Sequence, residues 1–163
     1  MTHDKIRLLI VDDEIKFLQS IAQRLSMRGF DVATASQGAQ ALELARTRKF
    51  DLALLDLRMP GIDGKQVLEE LKREHQYLEV IILTGHGSID SAVDCTALGA
   101  FDYLPKPYDL DNLLAVLCKA YQYRLGRKFE LDPAMLGRIA ERSPDAGPLA
   151  TLRELRQLDD DRV

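Results

Sequence analysis

Asp56 closes the apolar run Leu52-Ala53-Leu54-Leu55 and is followed at once by Leu57-Arg58-Met59-Pro60-Gly61. Three other apolar runs end in polar groups: Ile6 to Val11 in Asp12-Asp13, Val80 to Leu83 in Thr84, and Phe101 to Leu104 in Pro105-Lys106-Pro107. Three carboxylates gathered in one place repel one another, and burial raises the cost, so such a cluster calls for a cation. Hard oxygen ligands favour Mg²⁺, which binds through one or two carboxylates and keeps room for water and phosphate. Asp56 is then a nucleophile candidate, because a carboxylate can attack phosphorus and form an acyl phosphate. That transfer needs in-line positioning and neutralisation of the phosphoryl oxygens. Lys106 supplies positive charge, while the Thr84 hydroxyl and loop N–H groups supply hydrogen bonds. Gly85 and Gly87 let the backbone approach without a clashing Cβ. Taken alone, Asp12-Asp13 reads equally well as a helix N-cap. That reading leaves Asp56, Thr84 and Lys106 unexplained.

These residues converge only if the runs are parallel strands, since the crevice of an open parallel sheet lies at the carboxyl ends of its strands. Short apolar runs do alternate with stretches of helical periodicity, the pattern of a βα repeat. The expected strands are Ile6 to Val11, Phe30 to Ala35 (an edge), Asp51 to Asp56, Leu78 to Thr84 (nearly all apolar, hence central) and Phe101 to Leu104. Between them the periodicity predicts a helix carrying Ile15, Leu18, Ile21, Ala22 and Leu25 on one face, then helices near Gly38 to Arg48, Gly64 to Glu74 and Ser88 to Leu98, and last Leu110 to Leu125. The fourth helix has few large apolar groups and is the expected site of movement.

The chain has 163 residues, a net charge of −4 and two widely separated cysteines, Cys95 and Cys118. That size fits one domain with an appendage, and the charge gives no general attraction to nucleic acid or to an anionic membrane. The cysteines read as small buried hydrophobes. No signal peptide and no run of membrane-spanning length is present, which sets a cytoplasmic expectation. The expected domain covers residues 1–125. Residues 126–163 form a tail with two short amphipathic stretches, one from Ala134 to Arg142 and one carrying Leu149, Leu152, Leu155 and Leu158. The tail is too short for a core of its own, and with seven Lys/Arg against eight Asp/Glu it lacks the basic stripe of a DNA-binding domain.

Together, Val11-Asp12-Asp13-Glu14, Leu55-Asp56-Leu57-Arg58-Met59-Pro60-Gly61, Thr84-Gly85-His86 and Tyr103-Leu104-Pro105-Lys106-Pro107 resemble the receiver domain of two-component response regulators, over about residues 5 to 124. The run Leu83 to Gly87, with Leu98-Gly99-Ala100-Phe101-Asp102-Tyr103, is similar to receivers of enhancer-binding transcription activators. The resemblance implies a flavodoxin-like (βα)5 fold, a doubly wound five-stranded parallel sheet of order 2-1-3-4-5. It implies that Asp56 accepts a phosphoryl group from a sensor histidine kinase. Asp13, Asp56 and the Arg58 backbone carbonyl would ligate Mg²⁺, with Asp12 acting through water. Thr84 and Lys106 would bind the phosphoryl oxygens, Tyr103 would be the switch aromatic, and the Lys106–Pro107 peptide would be cis. Arg58 and His86 occupy positions that tune acyl-phosphate hydrolysis in the family; Arg58 reads equally as a solvated surface charge, and His86 reads better as a partly exposed loop histidine than as a catalytic base.

Phosphorylation adds about −1.5 to −2 charges and three acceptor oxygens. The expectation is that the face built from the fourth helix, fifth strand and fifth helix then changes partner or forms a homodimer. A phosphatase of the haloacid-dehalogenase type, which also uses an aspartyl nucleophile, is disfavoured, because it needs a second Asp where Arg58 stands. A phosphorylation-independent interaction module is disfavoured because the acids, hydroxyl and lysine are all present. No GxxxxGK[ST] loop of an activator ATPase occurs, and the acidic end, Asp159 to Asp161, favours a stand-alone receiver over a fragment of a longer activator.

Overall fold

Leu8 and Ile10 point to one face of a five-stranded sheet, and Leu9 and Val11 to the other, as the two-residue period of a strand requires. Both faces of every central strand are apolar, so both must be covered by helices. A computed structural model describes residues 5–85, 87–130, 134 and 147–161. Its elements run β1 (Arg7–Val11), α1 (Ile15–Ser26), β2 (Asp31–Ala35), α2 (Gly38–Thr47), β3 (Leu52–Leu55), α3 (Gly64–Glu74), β4 (Glu79–Thr84), α4 (Ile89–Ala97), β5 (Asp102–Pro105), α5 (Leu110–Phe129) and α6 (Gly147–Asp161). All pairings are parallel, in the order β2-β1-β3-β4-β5.

Two cores result. Ile10, Leu54, Ile81 and Leu83 meet Leu18, Ile21 and Leu25 of α1 and Leu113, Leu117 and Tyr121 of α5. On the opposite face Leu9, Leu55, Val80 and Ile82 meet Ala41 and Leu42 of α2, Val67, Leu68 and Leu71 of α3, and Cys95 of α4. Three helices start on side-chain caps that satisfy a free N–H: Asp63 accepts from Lys65 N, Ser88 from Ser91 N and Asp109 from Asp111 N. Cys95 is the sole buried residue of α4, and Ile89 and Val93 are 84% and 62% exposed. The weak packing expected of this helix is therefore observed.

Two details depart from the expectation. Ile15 is half exposed at the start of α1, because the inward face begins at Leu18. Helix α5 continues four residues past Leu125, to Phe129, and stops at Glu130 in the left-handed conformation (φ 52°). Gly126 does not end it, since Leu125, one turn beyond Tyr121, is itself fully buried. The Leu149–Leu158 stretch is a single 15-residue helix, α6, whereas the expected Ala134–Arg142 stretch lies, apart from Ala134, outside the described residues. Among the described residues no helix is long and apolar enough to cross a membrane.

Candidate functional site

Register decides what meets at the carboxyl edge of the sheet. Val11 pairs with Leu55, so Asp12 and Asp56, the next residue on each strand, leave the sheet side by side. Their backbones stay tied to it: Asp56 N donates to Val11 O at 3.0 Å and Asp12 N to Ala35 O at 3.1 Å. Thr84 pairs with Pro105, and Lys106 N donates to Thr84 O at 2.9 Å. The lysine is thereby aimed back over β4 and β3 towards the acids, and the Lys106–Pro107 peptide is cis.

Asp12, Asp56 and Thr84 are buried, and Asp13 is exposed at the rim. Carboxylate oxygens of Asp12, Asp13 and Asp56 all lie within 4.8 Å of one another. Lys106 Nζ donates to Asp12 Oδ2 at 2.6 Å and to Glu14 Oε1 at 3.2 Å, and stands 3.6 Å from Asp56 Oδ2. It also lies 4.2 Å from the centre of the Phe17 ring, a cation–π contact. Burial raises the Asp12 carboxyl above its ordinary value, an effect that the Lys106 and Glu14 N–H hydrogen bonds only partly offset. Burial opposes the charged form of Lys106, but the hydrogen bond and charge of Asp12, with the charge of Asp56, outweigh it and raise the ammonium's pKa.

Among the described residues one ammonium faces four acids, Glu14 included, and Asp56 Oδ1 is buried with no hydrogen-bond partner. An unsatisfied buried carboxylate oxygen inside an acid cluster is what a hard cation would complete. The residues present therefore fit Mg²⁺.

The loop after Asp56 is held by Gly64, whose N–H donates to Leu57 O at 3.1 Å. A Cβ at Gly64 would stand 2.5 Å from Leu57 Cα and 2.7 Å from Asp56 O, so only glycine permits this approach. Arg58 is exposed and, with Asp13, Met59 and Lys65, lines an open groove of about 590 Å³ beside the acids. Tyr103 is half buried under the β4–α4 loop. Its hydroxyl has no hydrogen-bond partner among the described residues, and a Cβ at Gly87 would lie 2.8 Å from it. His86 lies outside the described residues.

The structure thus brings together Asp12, Asp13, Asp56 and Lys106, sets Thr84 on the neighbouring strand end, and leaves Arg58 at the rim. Glu14, Phe17 and Gly64 touch the site without having been singled out from sequence. Glu14 follows the acid pair directly and could have been suspected. Phe17 stands outside the apolar face Ile15–Leu25 and in no motif, and Gly64 reads as a helix start.

Residues 8–118 match the response regulator receiver domain family. The transcriptional regulatory protein ZraR of Escherichia coli O157:H7 is 46% identical over 120 residues, which are 74% of this chain and 27% of ZraR. The chain thus spans about a quarter of that relative's length. A CheY-like response regulator receiver domain protein from Methanospirillum hungatei superimposes with a TM-score of 0.73 at 28% identity, covering 76% of this chain and 98% of the other. Response regulator protein TrrA from Thermotoga maritima, solved in complex with Mg(2+)-BeF, gives 0.65 at 30% identity over 71% and 98% of the two chains.

Proposed function

The chain belongs to the response regulator receiver domain family of two-component signalling, and from that premise we propose that Asp56 is its phosphoacceptor, charged by the phosphohistidine of a sensor histidine kinase. The carrying observation is the buried Asp56 carboxylate, with Oδ1 unpartnered among the described residues and Lys106 3.6 Å from Oδ2. A carboxylate oxygen of Asp56 attacks phosphorus in line, the P–N bond to the donor imidazole breaks with its electron pair going to nitrogen, and an aspartyl phosphate forms.

Asp13, Asp56 and the Arg58 carbonyl would hold Mg²⁺, with Asp12 acting through water; TrrA's Mg(2+)-BeF complex supports the assignment. When bound, the ion neutralises charge on the phosphoryl oxygens. Lys106 exchanges its Asp12 contact for a phosphoryl oxygen, and the Thr84 hydroxyl donates to a second. Arg58, exposed at the rim, can meet the phosphoryl group or the water that hydrolyses it. Chemistry is confined to the domain's own phosphorylation and dephosphorylation.

The readout is the face of α4, β5 and α5. Drawing Thr84 and Lys106 inward pulls the β4–α4 loop, under which Tyr103 sits, and α4 is the loosely packed helix free to follow. Exposed Ile89 and Val93 supply an apolar patch on which a partner or a second copy can close. Similarity to a transcriptional regulator supports an output in gene control. We assign no nucleic-acid contact to these residues, given the net charge of −4.

Labelling by acetyl phosphate tests the assignment. Incorporation should require Mg²⁺, stop on chelation with EDTA and vanish in Asp56→Asn. Labelling of that variant at an unchanged rate would overturn it.

A further inference from the structure

At the end of the sheet opposite Asp56 lies a second charged cluster, whose acids are paired with cations, with Arg124 Nε left buried without a hydrogen-bond partner among the described residues. Asp51, just before β3, accepts from Arg7 N at 2.9 Å and from the Arg7 guanidinium at 3.2 Å. It also pairs with Arg124 of α5 at 3.2 Å and with Arg156 of α6 at 3.4 Å. Asp159 of α6 accepts from the Tyr121 hydroxyl at 2.6 Å and from Arg124 at 2.8 Å, and it pairs with Lys128 at 3.3 Å. Arg156 Nη1 reaches both carboxylates and lies 3.2 Å from the Tyr121 hydroxyl. Asp51, Tyr121, Arg124, Arg156 and Asp159 are all buried.

The apolar side of α6 is equally committed. Leu152 and Leu155 are buried in the same core as Ile6, Phe30, Tyr121 and Leu125, with Leu149 and Leu158 packed at its margin. A helix held only by chance contact does not bury an arginine and an aspartate, because each leaves water at a cost that only complete pairing offsets. Here the pairing is completed by residues of β1, of the α2–β3 loop and of α5, in three separate stretches of sequence.

We propose that the amino-terminal end of the sheet and the distal half of α5 form an interaction surface whose occupant is this chain's own α6, docked as a latch by the Asp51–Arg156 and Arg124–Asp159 pairs. The receiver is then a six-helix unit rather than five βα repeats with a separate tail. Distal α5, from Tyr121 to Phe129, is fixed by α6 instead of overhanging the sheet. Docking happens at the far end from the acid cluster, so it leaves phosphorylation untouched and shapes α5, one wall of the readout face.

Hydrogen–deuterium exchange on the full chain tests this without any variant: α6 amides must be protected well above the rate of an unstructured peptide. Exchange of α6 at the unstructured rate overturns the proposal. Removing one partner of a buried pair is costly, so Asp159→Ala should lower protection of α6 and of Tyr121–Phe129 together, by about 100-fold. Amides of β3 and β4 should stay protected, which shows the domain still folded. Leu155→Ala should produce the same paired loss through the apolar side. Unchanged protection in both variants, or loss in α6 with none in distal α5, overturns the latch.

Discussion

Lys106 Nζ sits 2.6 Å from Asp12 and a full ångström farther, 3.6 Å, from Asp56. The lysine therefore rests on the neighbouring acid, with Glu14 as its second partner, and the proposed nucleophile keeps one oxygen bare. An ammonium so placed also repels any divalent cation entering the cluster. Lys106→Met should tighten Mg²⁺ binding by about tenfold, the order expected of a unit charge removed at such range and partly screened. It should also abolish the conformational response to beryllofluoride. Titration of Mg²⁺ against both proteins measures the first effect, and equal or weaker binding by the variant would refute this resting position of the lysine.

Gly64 is the second test, because its neighbours are backbone atoms that no rotamer change can move aside. Gly64→Ala should cost at least about 1–3 kcal/mol, the range for overpacking. It should also weaken Mg²⁺ binding, since the displaced Asp56–Leu57 backbone leads directly into the Arg58 carbonyl assigned to the ion. Urea unfolding and metal titration check the two effects, and a wild-type midpoint would show that the loop yields freely.

At Gly87 the obstacle is a side chain that can swing away. Gly87→Val brings a Cβ to 2.8 Å from the Tyr103 hydroxyl, with two methyl groups beyond it, so the half-buried ring should turn outward with little loss of stability. Beryllofluoride should then fail to draw the ring in. Side-chain NMR of Tyr103 with and without the mimic reads this out, and an inward ring in the variant would sink the gating role of residue 87.

The latch carries a pH dependence of defined sign. Burial pushes the Asp159 carboxyl up, but the Tyr121 hydrogen bond and the charges of Arg124 and Lys128 outweigh it and hold the group below its ordinary value. Arg156 faces it from its own helix, and Asp51 with Arg7 completes the surroundings. A depressed carboxylate stabilises the folded form above its unfolded pKa, and the contribution is lost as pH falls through the folded value. The stability gap between the native chain and Asp159→Asn should thus stay constant from pH 7 to about 5 and narrow below about 4. A gap independent of pH down to full protonation would contradict the pairing.

Residue order alone revealed the parallel sheet, because Leu52–Leu55 and Val80–Leu83 are apolar on both faces and each ends in a polar group. It revealed Asp12, Asp13, Asp56, Thr84 and Lys106 for the same reason: strand ends are marked locally. The contacts that escaped it depend on distant pairings. Phe17 reaches Lys106 only because α1 packs beside the β5–α5 loop, and Gly64 matters only because a turn folds back on Leu57. The extent of α5 was hidden too, since Gly126 looks like a stop until Leu125 is seen buried. What holds α6 is a four-way ionic arrangement, and no periodicity reports on charges 105 residues apart such as Arg156 and Asp51.

Strand β3 has an aspartate just outside each end, about 16 Å apart at the rise of an extended chain. Asp51 meets three guanidinium groups, whereas Asp56 keeps a bare oxygen. Two identical side chains five residues apart are thereby given opposite chemical fates, one quenched as a counter-ion and the other left available for bond formation. A carboxyl-directed reagent such as a water-soluble carbodiimide should find Asp56 and pass over Asp51 in the same folded molecule, a selectivity that belongs to neither residue type nor burial but to how many lone pairs the fold has left unclaimed.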